Sequence, residues 1–589
     1  MLLALAKPVL CLFPLFFWSF FLQSPILISF ARSAPLRALL MFVNVGDGAT
    51  SDLYFALLLA LLIVYLCYAI SIWSQKVALG FRCIIYFILV TSFIARKFLL
   101  VEFGLQLTPS TFSLLQETNG HEVSGFLDIF ILSKIGLKYL LIAIGLYLIV
   151  FASDMLYVRK MIATKCPEKM KLVFGGIISL VFVMCVPAIR GGYEQLMQIP
   201  GGQSTFSAIQ CTLLKLSKTS EESHSYWNKI QTINQEKGVA SCSEDSINVV
   251  FVLGESFIKA HSSLYGYPLK TMPNMEKEKE KGNLFVFEDL VTPYNGTSSA
   301  MKNLFCLNDM SQGEKWYQSI YWPQLLKKAG YKLYLWDNQK NFDKHHGNTF
   351  YEMYSHQVVN VCYDRINETA YDYDEDIVAD FKKNGYVNYG GKNYVWFHLM
   401  GQHFAFADKC PNDKKVFQIK DIKRIDGYLT NEMKQVIADY DNAVHYNDEV
   451  LKSIIDLFRN TNSVLVFISD HGEEAYDYRA KTSRPAMETG LESEYAHCQY
   501  DVPLFVWCSD QYLKKHKDVI KELKSSKGHS SMSDKIGYSM LRLAQVKTKY
   551  YVPQRDITNM NFQKTKRTIY LMGGEKSMDY DVVTHYSHL

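Results

Sequence analysis

The chain lacks the sequence features of several large protein classes. Its 12 cysteines include no C-x-x-C pair, and zinc fingers hold their metal with such closely spaced thiolates, so a zinc finger is disfavoured. The net charge is only +4 over 589 residues. No cluster of basic residues interleaved with aromatics is present, which argues against a nucleic-acid partner. No internal repeat or low-complexity tract is evident.

Long apolar runs are present, and nearly all of them lie in the first 190 residues. A membrane-spanning helix needs about 20 apolar residues, and five segments are long enough: roughly 8–30, 52–73, 83–103, 133–152 and 171–189. The sequence therefore predicts a transmembrane domain over residues 1–190 with about five helices. A polar linker with a bridging helix follows over 191–245, and a globular domain over 246–589.

The orientation follows from basic residues in short loops, which favour the cytoplasmic side. The clearest basic cluster separates the fourth and fifth segments and comprises Arg159, Lys160, Lys165, Lys169 and Lys171. Placing this loop in the cytoplasm puts the globular domain outside the membrane.

The globular domain contains six short β-branched and aromatic runs between helical patterns: INVVFVLG, NLFVFEDL, YKLYLWD, YVWFHLM, SVLVFISD and VPLFVW. Several are apolar without alternation, as expected of strands that are covered by helices on both faces. The pattern predicts an α/β domain with a largely parallel sheet.

Polar side chains with metal-binding chemistry follow several of these strands. Glu255 follows the first strand, Asp337 and Asn338 follow the third, His398 and His403 the fourth, and Asp470 and His471 the fifth. In parallel sheets such groups gather at the carboxyl ends of the strands. A single strand-terminal Asp is more often a helix cap, and a single His is usually structural. The occurrence of several such carboxylates and imidazoles at the ends of neighbouring strands predicts a zinc or manganese site with Glu255 as a ligand.

The motifs also resemble those of a known family. The segment VFVLGESFIKAHSSLYGYPLKTMPNM is similar to the opening motif of the bacterial phosphoethanolamine transferases, which are membrane-anchored members of the alkaline phosphatase and sulfatase superfamily. Further matches follow in the family's order: GTSSAMKNLF, GYKLYLWDNQ, CYD, FHLMGQHFAF, YDNAVHYND and SDHGEE. The resemblance covers essentially the whole chain and implies an alkaline-phosphatase-like catalytic domain.

The resemblance implies roles for individual residues. The family's metal ligands fall on Glu255, Thr297, Asp470 and His471, with Thr297 as the nucleophile. An ungapped match favours Thr297, although Ser299 can also be aligned at this position. A hydroxyl is a poor nucleophile at its own pKa, so a metal is needed to stabilise its alkoxide.

Other residues match family positions that contact the substrate. His403 matches a phosphate-gripping histidine and is expected to assist catalysis, while His398 and His497 match further family histidines. In the loop between the third and fourth segments, Ser113 and Glu117 fall where the family has polar residues that hold the lipid head group. An interfacial connecting helix is an equally good interpretation of this loop.

The implied activity is transfer of phosphoethanolamine from phosphatidylethanolamine, through a phosphothreonine, to lipid A or another surface glycan. The enzyme would contain one or two zinc ions, or manganese. It would lie in the bacterial inner membrane with its catalytic domain in the periplasm, in contact with the lipid bilayer.

Two features separate the chain from the lipid A-modifying members, and three alternatives stay open. Only Cys306 occurs near the nucleophile, and Tyr294 and Asn295 precede Gly296 where those members have a cysteine, so their disulfide pattern does not carry over. The seven cysteines beyond residue 190 allow up to three disulfides of unknown pairing.

The alternatives are a phosphoglycerol transferase like lipoteichoic acid synthase, a sulfatase, and a non-catalytic scaffold. No CxPxR or SxPxR motif surrounds Thr297, which disfavours a sulfatase, and the intact ligands disfavour a scaffold.

Overall fold

A computed structural model describes the structure of most of the chain. The described residues are 12–23, 60–68, 70–71, 74–103, 127–161, 221–339, 358, 361–367, 369, 371–385, 387–424, 427–479, 482, 484, 493–571 and 577–585. The chain divides into two compact units: an N-terminal unit of Met1–Lys218 with Pro485–Thr489, and a C-terminal unit of Thr219–Arg484 with Gly490–Leu589.

The described elements of the N-terminal unit are helices. Its helices are α1 (Phe13–Gln23), α2 (Gln75–Phe103) and α3 (Lys134–Met161), and residues 60–68 are also helical. Among the described residues, two stretches are long and apolar enough to cross a membrane, Gln75–Leu99 and Lys134–Leu156. They correspond to the third and fourth predicted segments. The fifth segment, 171–189, lies outside the described residues, and the total of five stays a prediction.

A buried ion pair joins α2 to α3. Arg82 Nε donates to Asp154 Oδ2 at 2.8 Å, and the Tyr86 hydroxyl donates to Asp154 Oδ1 at the same distance. Both charged side chains are almost fully buried. Because an unpaired charge is costly in an apolar bundle, this contact fixes how the two helices face each other.

The C-terminal unit is built on a seven-stranded sheet. In chain order its strands are β1 (Ile247–Gly254), β2 (Leu284–Phe287), β3 (Lys332–Asp337), β4 (Arg365–Ile366), β5 (Lys392–His398), β6 (Ser463–Ser469) and β7 (Leu504–Cys508). Their spatial order is β2-β7-β6-β1-β5-β3-β4. The five strands from β6 to β4 are parallel, while β7 runs antiparallel to both β6 and β2. All six predicted strands are therefore present, in a mixed sheet that is largely parallel.

Three two-stranded pairings supplement the main sheet. They join Ala240–Ser241 to Lys547–Thr548, Leu290–Val291 to Ser531–Met532, and Thr568–Tyr570 to Ser577–Asp579.

Helices accompany the sheet along the chain. The first covers residues 221–235. The others are α4 (Pro273–Glu280), α5 (Thr297–Leu304), α6 (Trp322–Lys328), α7 (Asp374–Asn384), α8 (Asn431–Phe458), α9 (Ser493–Tyr500), α10 (Asp510–Lys515), α11 (Lys517–Ser526), α12 (Ile536–Leu543) and α13 (Tyr580–His585).

The central strand β1 is buried along its whole length because both faces of the sheet are covered. Phe251 and Leu253 belong to a core that includes Trp322 of α6, whereas Val250 and Val252 belong to a second core with Ile454 of α8. Side chains alternate between the two faces of a strand. An unbroken apolar run is thus what a strand between two cores requires.

The register of the sheet brings four strand ends together. Gly254 of β1 pairs with Ser469 of β6, and Leu253 pairs with His398 of β5. On the other side of β5, His398 pairs with Asp337 of β3. The polar residues that follow these strands consequently meet at one edge, as the sequence predicts.

The described cysteines form no disulfide. Six of them lie in the C-terminal unit: Cys242, Cys306, Cys362, Cys410, Cys498 and Cys508. The disulfides that the sequence allows are therefore absent among these residues. The segment before Thr297 must be held by other contacts.

Candidate active site

Glu255 is the first residue after β1 and is fully buried. Its backbone oxygen accepts a hydrogen bond from Gln402 N at 3.1 Å. Gly401 has φ of +50°, and a Cβ at this position would lie 3.0 Å from both the nitrogen and the oxygen of Glu255. The chain therefore needs glycine at 401 for this close approach.

Ser256 joins Glu255 to the neighbouring strand end. It adopts φ of +56°, an uncommon value for a residue other than glycine. In this conformation its backbone nitrogen donates to Asp470 Oδ1 at 3.1 Å, and its hydroxyl donates to Glu255 Oε1 at 2.7 Å. The strained backbone is thus compensated by contacts that fix both carboxylates.

Asp470 and His471 follow β6 and are also buried. His471 Nδ1 lies 2.7 Å from the carbonyl oxygen of Gly472. Because a carbonyl can only accept, Nδ1 carries the proton and Nε2 carries the lone pair. His471 Nε2 lies 3.0 Å from Asp470 Oδ2 and 3.3 Å from Glu255 Oε1, so the lone pair and both carboxylates converge.

Thr297 completes this cluster from a third element, as the first residue of α5. Its hydroxyl oxygen lies 3.1 Å from Glu255 Oε2 and 3.1 Å from His471 Nε2. Ser299, two residues further along the same helix, is exposed. Of the two candidate nucleophiles, Thr297 is the one in hydrogen-bond contact with Glu255 and His471.

The cluster fits a divalent metal ion. The ligand atoms of Glu255, Asp470 and His471 lie within 4.8 Å of one another. Asp470 Oδ2 is buried without a hydrogen-bond partner. Burial and the positive charge of Arg484 lower the pKa of His471 to about 3, so its imidazole is neutral. Two buried carboxylates beside a neutral imidazole offer oxygen and nitrogen donors that suit zinc.

Gln339 and Arg484, for which the sequence predicted no role, also contact the cluster. Gln339 Nε2 donates to Glu255 Oε2 at 3.1 Å and to the Leu399 carbonyl at 3.0 Å. Arg484 Nη1 lies 2.5 Å from His471 Nε2. Gln339 directly follows Asp337 and Asn338, which the sequence marked as polar residues at a strand end, so the same pattern could have included Gln339. No sequence pattern marks Arg484.

The three predicted substrate histidines lie in different environments. Burial lowers the pKa of His403 to about 4, against the opposing effect of the negative charge of Glu255. His398 pairs through Nδ1 with Asp337 Oδ1 at 2.9 Å; the negative charge of Asp337 raises its pKa against the opposing effect of burial.

His497 lies in α9, outside the metal-ligand cluster. Its Nδ1 contacts Asp501 at 3.1 Å and the Tyr580 hydroxyl at 2.9 Å, and its side chain is 49% exposed. The predicted lipid-contacting residues Ser113 and Glu117 lie outside the described residues.

A buried ionic cluster anchors the segment that follows Glu255. His261 Nδ1 lies 2.6 Å from Asp441 Oδ1, and Nε2 lies 2.8 Å from Asp477 Oδ1. Although burial opposes it, the negative charges of Asp477 and Asp441 raise the pKa of His261 to about 10. The imidazolium therefore ties this segment to α8 and to the segment after His471.

Hydrogen bonds and one aromatic stack hold the segment before Thr297. The Thr292 hydroxyl donates to the Asp470 carbonyl at 2.8 Å, and Asn295 Nδ2 donates to Gln499 Oε1 at 2.6 Å. The rings of Tyr294 and Tyr570 stack with centroids 4.9 Å apart. These contacts position the segment before Thr297 without a disulfide among the described residues.

A largely parallel, helix-covered sheet with a buried carboxylate, imidazole and hydroxyl cluster at its carboxyl edge defines a hydrolase or group transferase of the alkaline phosphatase type. Comparison with known proteins agrees with this class. The model of the sulfatase family matches residues 247–546. The chain belongs to the sulfatase family, within the alkaline phosphatase superfamily.

Within this family the chain resembles phosphoethanolamine transferases. It is 28% identical over 331 residues to phosphoethanolamine transferase EptC of Escherichia coli K12, a match that covers 54% of this chain and 55% of that protein. The chain thus spans about half the length of this curated relative. The sequence resemblance to phosphoethanolamine transferases is confirmed by this match.

Solved structures support the fold. The C-terminal periplasmic domain of EptC from Escherichia coli, crystallised in complex with Zn, aligns with a TM-score of 0.50 at 25% identity, covering 59% of this chain and 96% of that chain. The integral membrane protein lipooligosaccharide phosphoethanolamine transferase A from Neisseria meningitidis aligns with a TM-score of 0.56 at 16% identity, covering 93% of this chain and 98% of that chain. The second likeness concerns the fold alone and extends over the N-terminal membrane region.

Proposed function

We propose that this protein is a membrane-bound, metal-dependent phosphoethanolamine transferase. It takes phosphoethanolamine from phosphatidylethanolamine, carries it on Thr297, and passes it to lipid A or another cell-surface glycan. The observation that carries the proposal is the contact of Thr297 Oγ1 with Glu255 Oε2 and His471 Nε2, each at 3.1 Å, beside Asp470.

Glu255, Asp470 and His471 would hold the metal ion together with Thr297. A bound zinc ion supplies Lewis-acid stabilisation of an alkoxide and of charge on phosphoryl oxygens. Zinc is preferred because the donors are oxygen and nitrogen, and because a domain of the relative EptC was crystallised with it. One or two ions, or manganese, are compatible with this donor set.

Thr297 is the nucleophile in the first half-reaction. Its oxygen bonds to phosphorus, the ester bond from phosphorus to diacylglycerol breaks, and the proton that the Thr297 hydroxyl loses is balanced by the proton that the departing diacylglycerol oxygen gains. In the second half-reaction an oxygen of the acceptor hydroxyl or phosphate bonds to phosphorus, the bond from phosphorus to Thr297 breaks, and the Thr297 oxygen takes up a proton from the acceptor or from water. His403 is neutral near pH 7 because its pKa is about 4, so it acts as a hydrogen-bonding group for the phosphoryl oxygens. His497 and His398 would contribute to the wider substrate site.

The membrane unit brings the catalytic unit to its lipid donor. Each methylene exposed to water costs about 0.8 kcal/mol, so the lipid cannot leave the bilayer readily. We place the protein in the bacterial inner membrane, with the catalytic unit in the periplasm and with Ser113 and Glu117 near the lipid head group. Domain limits of 1–190, 191–245 and 246–589 belong to the same proposal.

Donor lipids with a fluorescent acyl chain test this function. The purified, zinc-loaded full-length protein is incubated with labelled phosphatidylethanolamine or labelled phosphatidylglycerol, and labelled diacylglycerol is measured by chromatography. We expect release from phosphatidylethanolamine in wild type and in Ser299→Ala, but not in Thr297→Ala. Release from phosphatidylglycerol alone would identify a phosphoglycerol transferase, and release from neither lipid would contradict both activities.

A further inference from the structure

Arg484 lies inside the cluster that would hold the metal. Its Nη1 is 2.5 Å from His471 Nε2 and 3.0 Å from the Asn295 carbonyl oxygen. Its Nε is 3.3 Å from Glu473 Oε2, and its side chain is only 16% exposed. The guanidinium is therefore held between Glu473, two residues after His471, and Asn295, two residues before Thr297.

The hydrogen bonds of Arg484 leave part of its donor capacity unused. A guanidinium has five N–H donors in a planar fork that matches phosphate oxygens. Among the described residues, Nη2 makes no hydrogen bond. The hydrogen bond from Nη1 to His471 Nε2 uses the lone pair that a metal ion would need. This hydrogen bond can therefore form only while His471 binds no metal. The contacts with Asn295 and Glu473 do not compete in this way.

The start of α5 adds further donors near Thr297. The helix has eight residues, and its N-cap, Gly296, provides no side-chain cap. The first backbone N–H groups of a helix then point outward and favour an anion. The hydroxyl oxygen of Ser298 is buried without a hydrogen-bond partner among the described residues. The first turn of α5 thus carries uncapped N–H groups and an unpartnered hydroxyl. The Arg484 guanidinium contacts the same His471 Nε2 as the Thr297 hydroxyl.

We propose that Arg484 is a phosphate-binding residue that, once His471 holds a metal, directs its guanidinium to the phosphoryl oxygens of the group bound at Thr297. Its tether to Asn295 and Glu473 keeps the positive charge beside the nucleophile in either state. This inference rests on the proposed function and names a substrate contact that the predicted histidines do not supply. Charge-assisted hydrogen bonds from arginine to phosphate are strong and geometrically specific.

Two binding measurements on the zinc-loaded full-length protein in detergent test the inference. Binding of O-phosphoethanolamine is measured by calorimetry, and zinc affinity is measured by competition with a chelator. Arg484→Gln should weaken binding of O-phosphoethanolamine by about tenfold to a hundredfold, and Arg484→Lys should weaken it less. Zinc affinity should stay equal or rise in Arg484→Gln, because a competing cation has been removed from His471.

The matched control is Arg365→Gln, which removes an exposed guanidinium bonded to the Asn384 carbonyl. It should leave both affinities unchanged. A fall in zinc affinity in both Arg484 variants would show that Arg484 merely orients His471 and would overturn the inference. Equal binding of O-phosphoethanolamine by wild type and Arg484→Gln would overturn it too, while leaving the proposed function intact. A wild type that binds zinc but not O-phosphoethanolamine, and releases no diacylglycerol, would overturn the proposed function and the inference with it.

Discussion

Replacing Gln339 with alanine should weaken metal binding although Gln339 is not itself a ligand. Its amide donates to Glu255 Oε2 at 3.1 Å and to the Leu399 carbonyl at 3.0 Å, so it fixes the carboxylate against the backbone of the neighbouring strand. Gln339 is only 8% exposed, and water cannot easily take its place. A hydrogen bond to a charged group contributes about 1.5–3 kcal/mol, and loss of such an outer partner typically costs about 10- to 100-fold in metal affinity.

Chelator competition on the full-length protein measures this effect, with zinc as the metal. The control is Gln324→Ala, which also removes a buried amide, one that donates to the Ile230 carbonyl at 2.8 Å. Both variants should lose similar stability towards denaturant, but only Gln339→Ala should lose zinc affinity. If the two variants bind zinc equally well, Gln339 does not position Glu255 and the reasoning fails.

Three other perturbations test the supports of the site. In Gly472→Ala the new Cβ would lie 2.0 Å from the Cys498 carbonyl oxygen. We therefore expect the free energy of unfolding to fall by about 1–3 kcal/mol, which would lower the midpoint of thermal unfolding. An unchanged midpoint would show that the clash does not occur. Asn295→Ala removes the 2.6 Å hydrogen bond to Gln499. Because this bond helps to position the segment before Thr297, kcat should fall about tenfold or more while zinc affinity is retained. A change in KM alone would argue that Asn295 does not position Thr297. Burial opposes the charged form of His261, but its two aspartates raise its pKa from the ordinary value of 6.5 to about 10. The protonated imidazole therefore stabilises the folded protein fully below pH 6.5, and this stabilisation is lost as the pH rises towards 10. Denaturant titrations should show wild-type stability falling by up to about 1.4 kcal/mol per pH unit in that window, and a similar slope in His261→Gln would contradict this assignment.

Much of the fold follows from local sequence. The runs INVVFVLG, YKLYLWD, YVWFHLM and SVLVFISD are apolar without alternation because helices cover both faces of the sheet, and each forms a strand. The reversed direction of β7 could not be predicted in the same way. A strand buried on both faces has the same composition whether it runs parallel or antiparallel to its neighbours.

The site was partly predictable for a similar reason. Glu255 and the pair Asp470 and His471 end neighbouring parallel strands, and the register of the sheet necessarily brings them together. Arg484 could not be predicted, because it lies 13 residues after His471 and no sequence pattern links the two positions. The pairing of His398 with Asp337 depends on the adjacency of β5 and β3, which the chain order does not reveal.

The central claim is that Thr297 carries the transferred group. The most direct measurement is peptide mass spectrometry of the zinc-loaded full-length protein after incubation with phosphatidylethanolamine, comparing wild type with Thr297→Ala and Ser299→Ala. The account predicts a phosphoethanolamine adduct on the peptide that contains Thr297 in wild type and in Ser299→Ala, and none in Thr297→Ala. An adduct that survives in Thr297→Ala and disappears in Ser299→Ala would contradict it.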